Sequence, residues 1–103
     1  MNVSETYLIS LRGKIFKLLP MREAYEQGAD NHLGEYIENL CSNLDGAFSC
    51  HPEFSSYREM AEIQGNLWSL KANPSTDFAK WRSTVLRSVR LVQSVLSRCY
   101  EEV

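Results

Sequence analysis

Two histidines, three cysteines and thirteen carboxylates carry most of the chemical potential of this 103-residue chain. Cys50 and His51 are neighbours, and Cys41 lies about two and a half helical turns before them. A zinc site asks for four such groups at tight spacing, and His32 and Cys99 are scattered elsewhere. A nucleophilic thiol needs a base aimed at it, whereas the side chains of adjacent residues diverge. The carboxylate pairs Glu35/Glu38 and Glu59/Glu62 are spaced three apart on polar helical faces, where water explains them. The five glycines Gly13, Gly28, Gly34, Gly46 and Gly65 stand singly, so no phosphate-cradling loop exists. The residues predict no catalytic centre, no metal ligands and no cofactor; a small enzyme or metal-binding protein is the last of the readings.

The elements that would position these groups are helices. Leu8, Leu11, Ile15 and Leu18 recur at steps of three and four, predicting a helix over 5–18 with Ser4 as its N-cap and Pro20 as its end. Residues 21–30 are left as a helical turn or an ordered loop. Leu33, Ile37, Leu40, Leu44 and Ala47 predict a second helix over 32–49, capped by Asp30 or Asn31. Ser56-Tyr57-Arg58-Glu59 reads as a capping box opening a third helix. Its stripe is Met60, Ile63, Leu67 and Leu70, and it stops near Ala72, because Asn73 tolerates left-handed geometry and Pro74 cannot continue the ladder.

The fourth helix, 77–101, is the long one, roughly 37 Å at the usual rise. Phe78, Trp81, Val85, Val89, Val92, Leu96, Cys99 and Val103 form its nearly heptad series. No strand pattern appears. Each stripe must bury against the others, so the expected fold is all-α: one domain over 1–103, an antiparallel bundle of four main helices with a long C-terminal helix.

With 44% apolar and 23% charged residues the composition is that of a globular domain. An odd number of cysteines argues against a disulfide framework. No apolar run approaches the ~20 residues of a membrane span. Met1 to Glu5 lacks the basic start of a secretory signal, so the expected compartment is the cytoplasm and no membrane is expected as a partner. The net charge of −2 hides segregation. Residues 20–62 hold nine acidic and two basic side chains, whereas 80–98 hold five basic and no acidic ones. Acidic and basic helices lying side by side would pair across their rims. The sharper reading is a shared basic face of the first and fourth helices, Lys14, Lys17, Arg87 and Arg90, that meets an anionic partner, protein or nucleic acid. A pI near 5.6 counts against a dedicated nucleic-acid binder.

Trp68 and Trp81 flank the Asn73-Pro74 turn and are expected to pack together. Phe48, Phe54 and Tyr57 around His51-Pro52 are expected to cap one end of the bundle. The fourth helix should outreach its shorter partners by a turn or two, leaving Leu91, Val95, Leu96, Cys99 and Tyr100 as an interface for another chain, first of all a second copy in a homodimer.

Tyr7 to Pro20 (YLISLRGKIFKLLP) followed by Leu33 to Leu40 (LGEYIENL) resembles the opening of small helical proteins of Firmicutes bacteria and their prophages. The resemblance brings no assigned activity and no functional residues. It implies a small accessory protein acting through contacts. The expected function is therefore non-enzymatic protein–protein interaction, with a nucleic-acid-associated accessory subunit as the alternative.

Overall fold

The computed structural model describes residues 3–29, 31–73 and 76–101, the side chains of Tyr100 and Glu101 excepted. Every regular element among them is helical: α1 (Val3–Phe16), α2 (Leu18–Glu26), α3 (Leu33–Cys50), a short 3₁₀ segment (Pro52–Ser56), α4 (Arg58–Ala72) and α5 (Phe78–Glu101). The predicted stripes form the core. Leu8, Leu11, Ile15 and Leu18 meet Ile37, Leu44, Met60, Ile63 and Leu67, all essentially inaccessible to water, with Trp81, Val85, Val92 and Val95 from α5. α1 runs antiparallel along α5, α5 packs on α4, α4 on α3, and α2 reaches back to α3.

Pro20 does not end the first helical stretch; it sits inside α2. The chain breaks earlier, at Lys17, which keeps right-handed helical angles (φ −62°, ψ −18°). Proline lacks an N–H and its ring crowds the carbonyl four residues back, here that of Phe16, so an uninterrupted helix is disfavoured. In the first turn of a new helix neither defect matters. Lys17 N–H donates to Gly13 O at 3.1 Å and Met21 N–H to Lys17 O at 3.3 Å, carrying the backbone across the break. The undecided stretch after Pro20 is thus mostly helix. It closes at Gly28, whose φ of +92° only glycine adopts freely. Gly28 N–H reaches Tyr25 O at 3.1 Å and Ala29 N–H reaches Ala24 O at 3.0 Å, the paired bonds of a Schellman end.

Two predicted helix starts are also corrected. Asp30 lies outside the described residues, and Asn31 spends its amide on Met21 O at 2.8 Å, tying the connector to α2. His32 stands at the N-cap of α3 in a left-handed conformation (φ 53°) without a side-chain capping bond. The Ser56–Glu59 capping box does not form: Ser56 closes the 3₁₀ segment and Tyr57 precedes α4 with extended angles. Burying Phe54 and Tyr57 decides where α4 begins, and that outweighs a cap contributing about 1 kcal/mol. Asn73 is not left-handed either (φ −129°); its amide bonds Ser69 O at 3.3 Å. Pro74 lies outside the described residues. Asp77 Oδ1 accepts from Ala79 N–H at 3.0 Å just before α5, a functioning cap.

The expected overhang of the C-terminal helix is absent. α1 with 14 residues and α2 with 9, laid end to end, cover the 24 residues of α5. Arg12 bonds Gln93 midway, and Arg22 stacks on Trp81 near the far end, its carbon centre 4.9 Å from the ring. Val95 (0% exposed) and Leu96 (2%) therefore belong to the core, and Leu91 and Cys99 pack half-buried against it. The Tyr100 side chain lies outside the described set. The proposed α5 interface is spent inside the molecule. The two tryptophans are likewise separated in environment: Trp81 is fully buried, whereas Trp68 is 42% exposed beside Lys71 Nζ, 4.3 Å from its ring.

Truncating a residue of this seam distinguishes core from overhang. Leu96→Ala is expected to lose about 2–5 kcal/mol of unfolding free energy in a urea titration, against roughly 0.5 kcal/mol for a surface site.

Candidate functional site: the groove between α1 and α3

At the end of the bundle where α3 gives way to the 3₁₀ segment, a serine, a histidine and a glutamate meet. Ser4, buried in the first turn of α1, donates its hydroxyl proton to Glu53 Oε1 and lies 2.9 Å from His51 Nδ1. With the hydroxyl hydrogen committed to the carboxylate, His51 donates to the serine oxygen. The ring of His51 lies 5.0 Å from that of Phe54 and 5.9 Å from that of Tyr7, stacked on the latter. Of the aromatic cap expected from Phe48, Phe54 and Tyr57, only Phe54 joins this ring cluster, with Tyr7 and His51 in place of the others. Tyr57 turns to the other side, against Arg98 (5.1 Å from its ring) and Cys99 Sγ (3.9 Å).

A hydrolase relay needs serine and carboxylate on opposite nitrogens of the imidazole, whereas here both converge on Nδ1, Glu53 at 3.8 Å. The carboxyl of Glu53 is held below its ordinary value of 4.5, first by the Ser4 hydrogen bond, then by its own backbone N–H and by His51. Burial, by contrast, pushes the Cys41 thiol up and disfavours its thiolate. Cys41, Cys50 and Cys99 form no disulfide with one another. Among the described residues no three histidine, cysteine or acidic groups gather as a metal site would require.

Beside this cluster the bundle is open. α1 is committed to α5 and α3 to α4, so α1 and α3 share no comparable packed seam. Between them run two hollows of about 420 Å³ and about 200 Å³ that meet at Asn43. On α1, Tyr7 and Lys14 face them one heptad apart. On α3, Tyr36, Asn43 and Cys50 follow the same seven-residue step, with Asn39 and Gly46 between. A Cβ added at Gly46 would meet nothing within 4 Å, so the glycine leaves a shelf rather than fitting a close contact. Tyr36 Oη donates to Lys14 O at 2.9 Å, tying the two helices across the groove. Tyr7 Oη, in contrast, is shielded from water yet has no hydrogen-bond partner, and burial pushes its phenol up to about 12.

The expected basic face does not assemble. Lys14 lines the groove and Lys17 sits 6.0 Å from the Tyr36 ring, both toward α3. Arg87 instead grips Glu62 of α4, Nη2 donating to Oε1 at 2.8 Å and Nε to the same oxygen at 3.2 Å. Arg90 is exposed on α5. Pairing across rims is what the charge segregation mainly does: Arg98 meets Glu59, which also accepts from Ser94 at 3.2 Å, and Lys71 lies 3.8 Å from Glu38. Exposed pairs of this kind contribute well under ~1 kcal/mol each.

Of the groove residues, the sequence reading singled out Lys14 and the pair Cys50-His51 but missed Tyr7, Tyr36, Asn39, Asn43 and Gly46. For Asn39, Asn43 and Gly46 the signal was a second helical stripe on α3, small or amide-bearing, beside the apolar one. Compared with known proteins, the chain matches no family model, no curated protein and no solved structure.

Because Glu53 is held down only in the folded chain, its bond to Ser4 stabilises the fold fully above pH 4.5 and loses that effect as pH falls through the lowered value. Ser4→Ala should raise the Glu53 carboxyl titration seen by carbon-13 NMR. The gap in urea midpoint between the two proteins should narrow from neutral pH to pH 3; an unchanged titration would exclude the bond.

Proposed function

We propose that this chain is a non-enzymatic interaction module that receives a segment of another protein in the groove between α1 and α3. The observation that carries this reading is the unclosed α1/α3 seam, floored by Gly46 and edged by the rings of Tyr7 and Tyr36. Apolar bodies with polar tips are what peptide-receiving surfaces use. The likeness of 7–20 and 33–40 to small helical proteins of Firmicutes and prophages suits an accessory role of this kind. A cytoplasmic setting fits three cysteines that form no disulfide with one another.

Self-association through the end of α5 is no longer part of the reading, since Val95 and Leu96 are buried. A nucleic-acid face loses Arg87 to Glu62. The Ser4–His51–Glu53 cluster supports a structural role over a catalytic one.

The test is selection of peptides from a displayed library of random 16-residue sequences on the immobilised full chain. Enriched peptides should compete with one another and bind Gly46→Trp at least tenfold more weakly. Gly65→Trp, a substitution into equally open space on α4, should leave binding intact. Gly46→Leu serves as the smaller block if the indole perturbs the fold. Peptides indifferent to both Gly46 variants would sink the reading.

A further inference from the structure

We infer that the segment received by the α1/α3 groove is acidic, with a carboxylate directed at Lys14 and an apolar side chain seated over Gly46; this rests on the reading of the groove as a protein-binding site. The molecule as a whole is acidic, with a net charge of −2, yet no carboxylate lines either hollow and the one permanently charged lining side chain is Lys14. Lys17, 6.0 Å from the Tyr36 ring, adds a second positive charge close by.

The acidic groups of α3 are turned elsewhere. Glu38 faces Lys71 and Asp45 accepts from Gln64, both on α4, while Glu35 lies 3.8 Å from His32 at the start of its own helix. Glu53 lies 3.8 Å from the lining His51 and is bonded by Ser4, so the groove is positive at its Lys14 end, a local exception on a negative surface. Asn39 and Asn43 add exposed amides, whose N–H groups can donate to a carboxylate held beside Lys14. Between these polar points the shelf at Gly46 and Ala47 is bare of side-chain bulk, room for one leucine-sized or aromatic group.

A basic segment would meet Lys14 and Lys17 as like charges. A second copy of the chain could offer its acidic 20–62 stretch, but would then appear as a dimer.

The experiment sequences the peptides selected on the full chain and titrates the tightest one, synthesised with a fluorescein label. Asp and Glu should be enriched over the naive library and Lys and Arg depleted. Lys14→Glu should weaken binding at least tenfold and Lys14→Gln several-fold, with circular dichroism confirming that both fold. Raising the salt from 50 to 500 mM should weaken it by roughly tenfold, as screening of short-range charge pairs implies. If Gly46→Trp blocks peptides that are neutral or basic, the acidic assignment fails while the groove stands. If no selected peptide responds to Gly46→Trp, both fail. A labelled 20-nucleotide single strand displaced by Gly46→Trp, or a dimer by light scattering that the same substitution dissolves, would reassign the groove to nucleic acid or to a second copy and overturn the inference.

Discussion

An apolar stripe running the length of a 24-residue helix has to be covered from end to end, and no other single helix of this chain is long enough to do it. The solution is to place two helices head to tail. α1 and α2 together match α5, joined at Lys17 by a break that leaves the backbone nearly helical and the stripe Leu8, Leu11, Ile15, Leu18 unbroken. Pro20 makes the break necessary and its first-turn position makes it cheap. The molecule is elongated, 45 by 22 by 21 Å, and a seam the length of α5 takes up about 36 Å.

Covering α5 has a consequence on the opposite flank. A helix has one broad apolar stripe, and α1 uses its own against α5, so it meets α3 only edge-on. The edge of α3 that looks toward α1 is correspondingly not an apolar stripe: it carries Asn39, Asn43 and Gly46, residues that neither demand burial nor fill space. In a bundle closed on all sides such positions would cost packing density. Here they line a groove, and a glycine in the interior of α3, costing up to ~1 kcal/mol of helix stability, stands where nothing presses on it.

Much of the fold was legible because hydrophobic periodicity is a property of the chain alone. Every member of the predicted stripes of α1, α3 and α4 is buried, and α5 starts one residue after its predicted position. The misreadings have a common cause. Pro20, the Ser56–Glu59 box and Asn73 are local signals whose meaning depends on what the flanking apolar residues are doing elsewhere, and burial of Leu18, Phe54 and Tyr57 overrode them. The overhang was an error of comparison: α5 was measured against single helices when its partner was a pair. The groove was harder to see, since a concavity is set by the distance between two helices, and that distance follows from the seams on their other sides.

Apolar stripes of leucine and valine tolerate sliding by a turn, so something else must fix the register that puts Tyr7 across from Gly46 and Cys50. Polar contacts at the two ends do this. At one end Arg22, buried against Trp81, is held by Glu26 of its own helix at 2.8 Å and by Thr76 O at 2.5 Å; a shifted α5 would strip it of the Thr76 carbonyl and the Trp81 ring. At the other, Ser4 is fastened to His51 and Glu53. Midway, Ser88 accepts from Asn66 at 3.1 Å in a fully buried position between α4 and α5. Each contact contributes little net stability, but losing its partner inside the core would cost ~1–3 kcal/mol or more. Register is therefore enforced by the penalty on alternatives, and the groove inherits its lining from that enforcement.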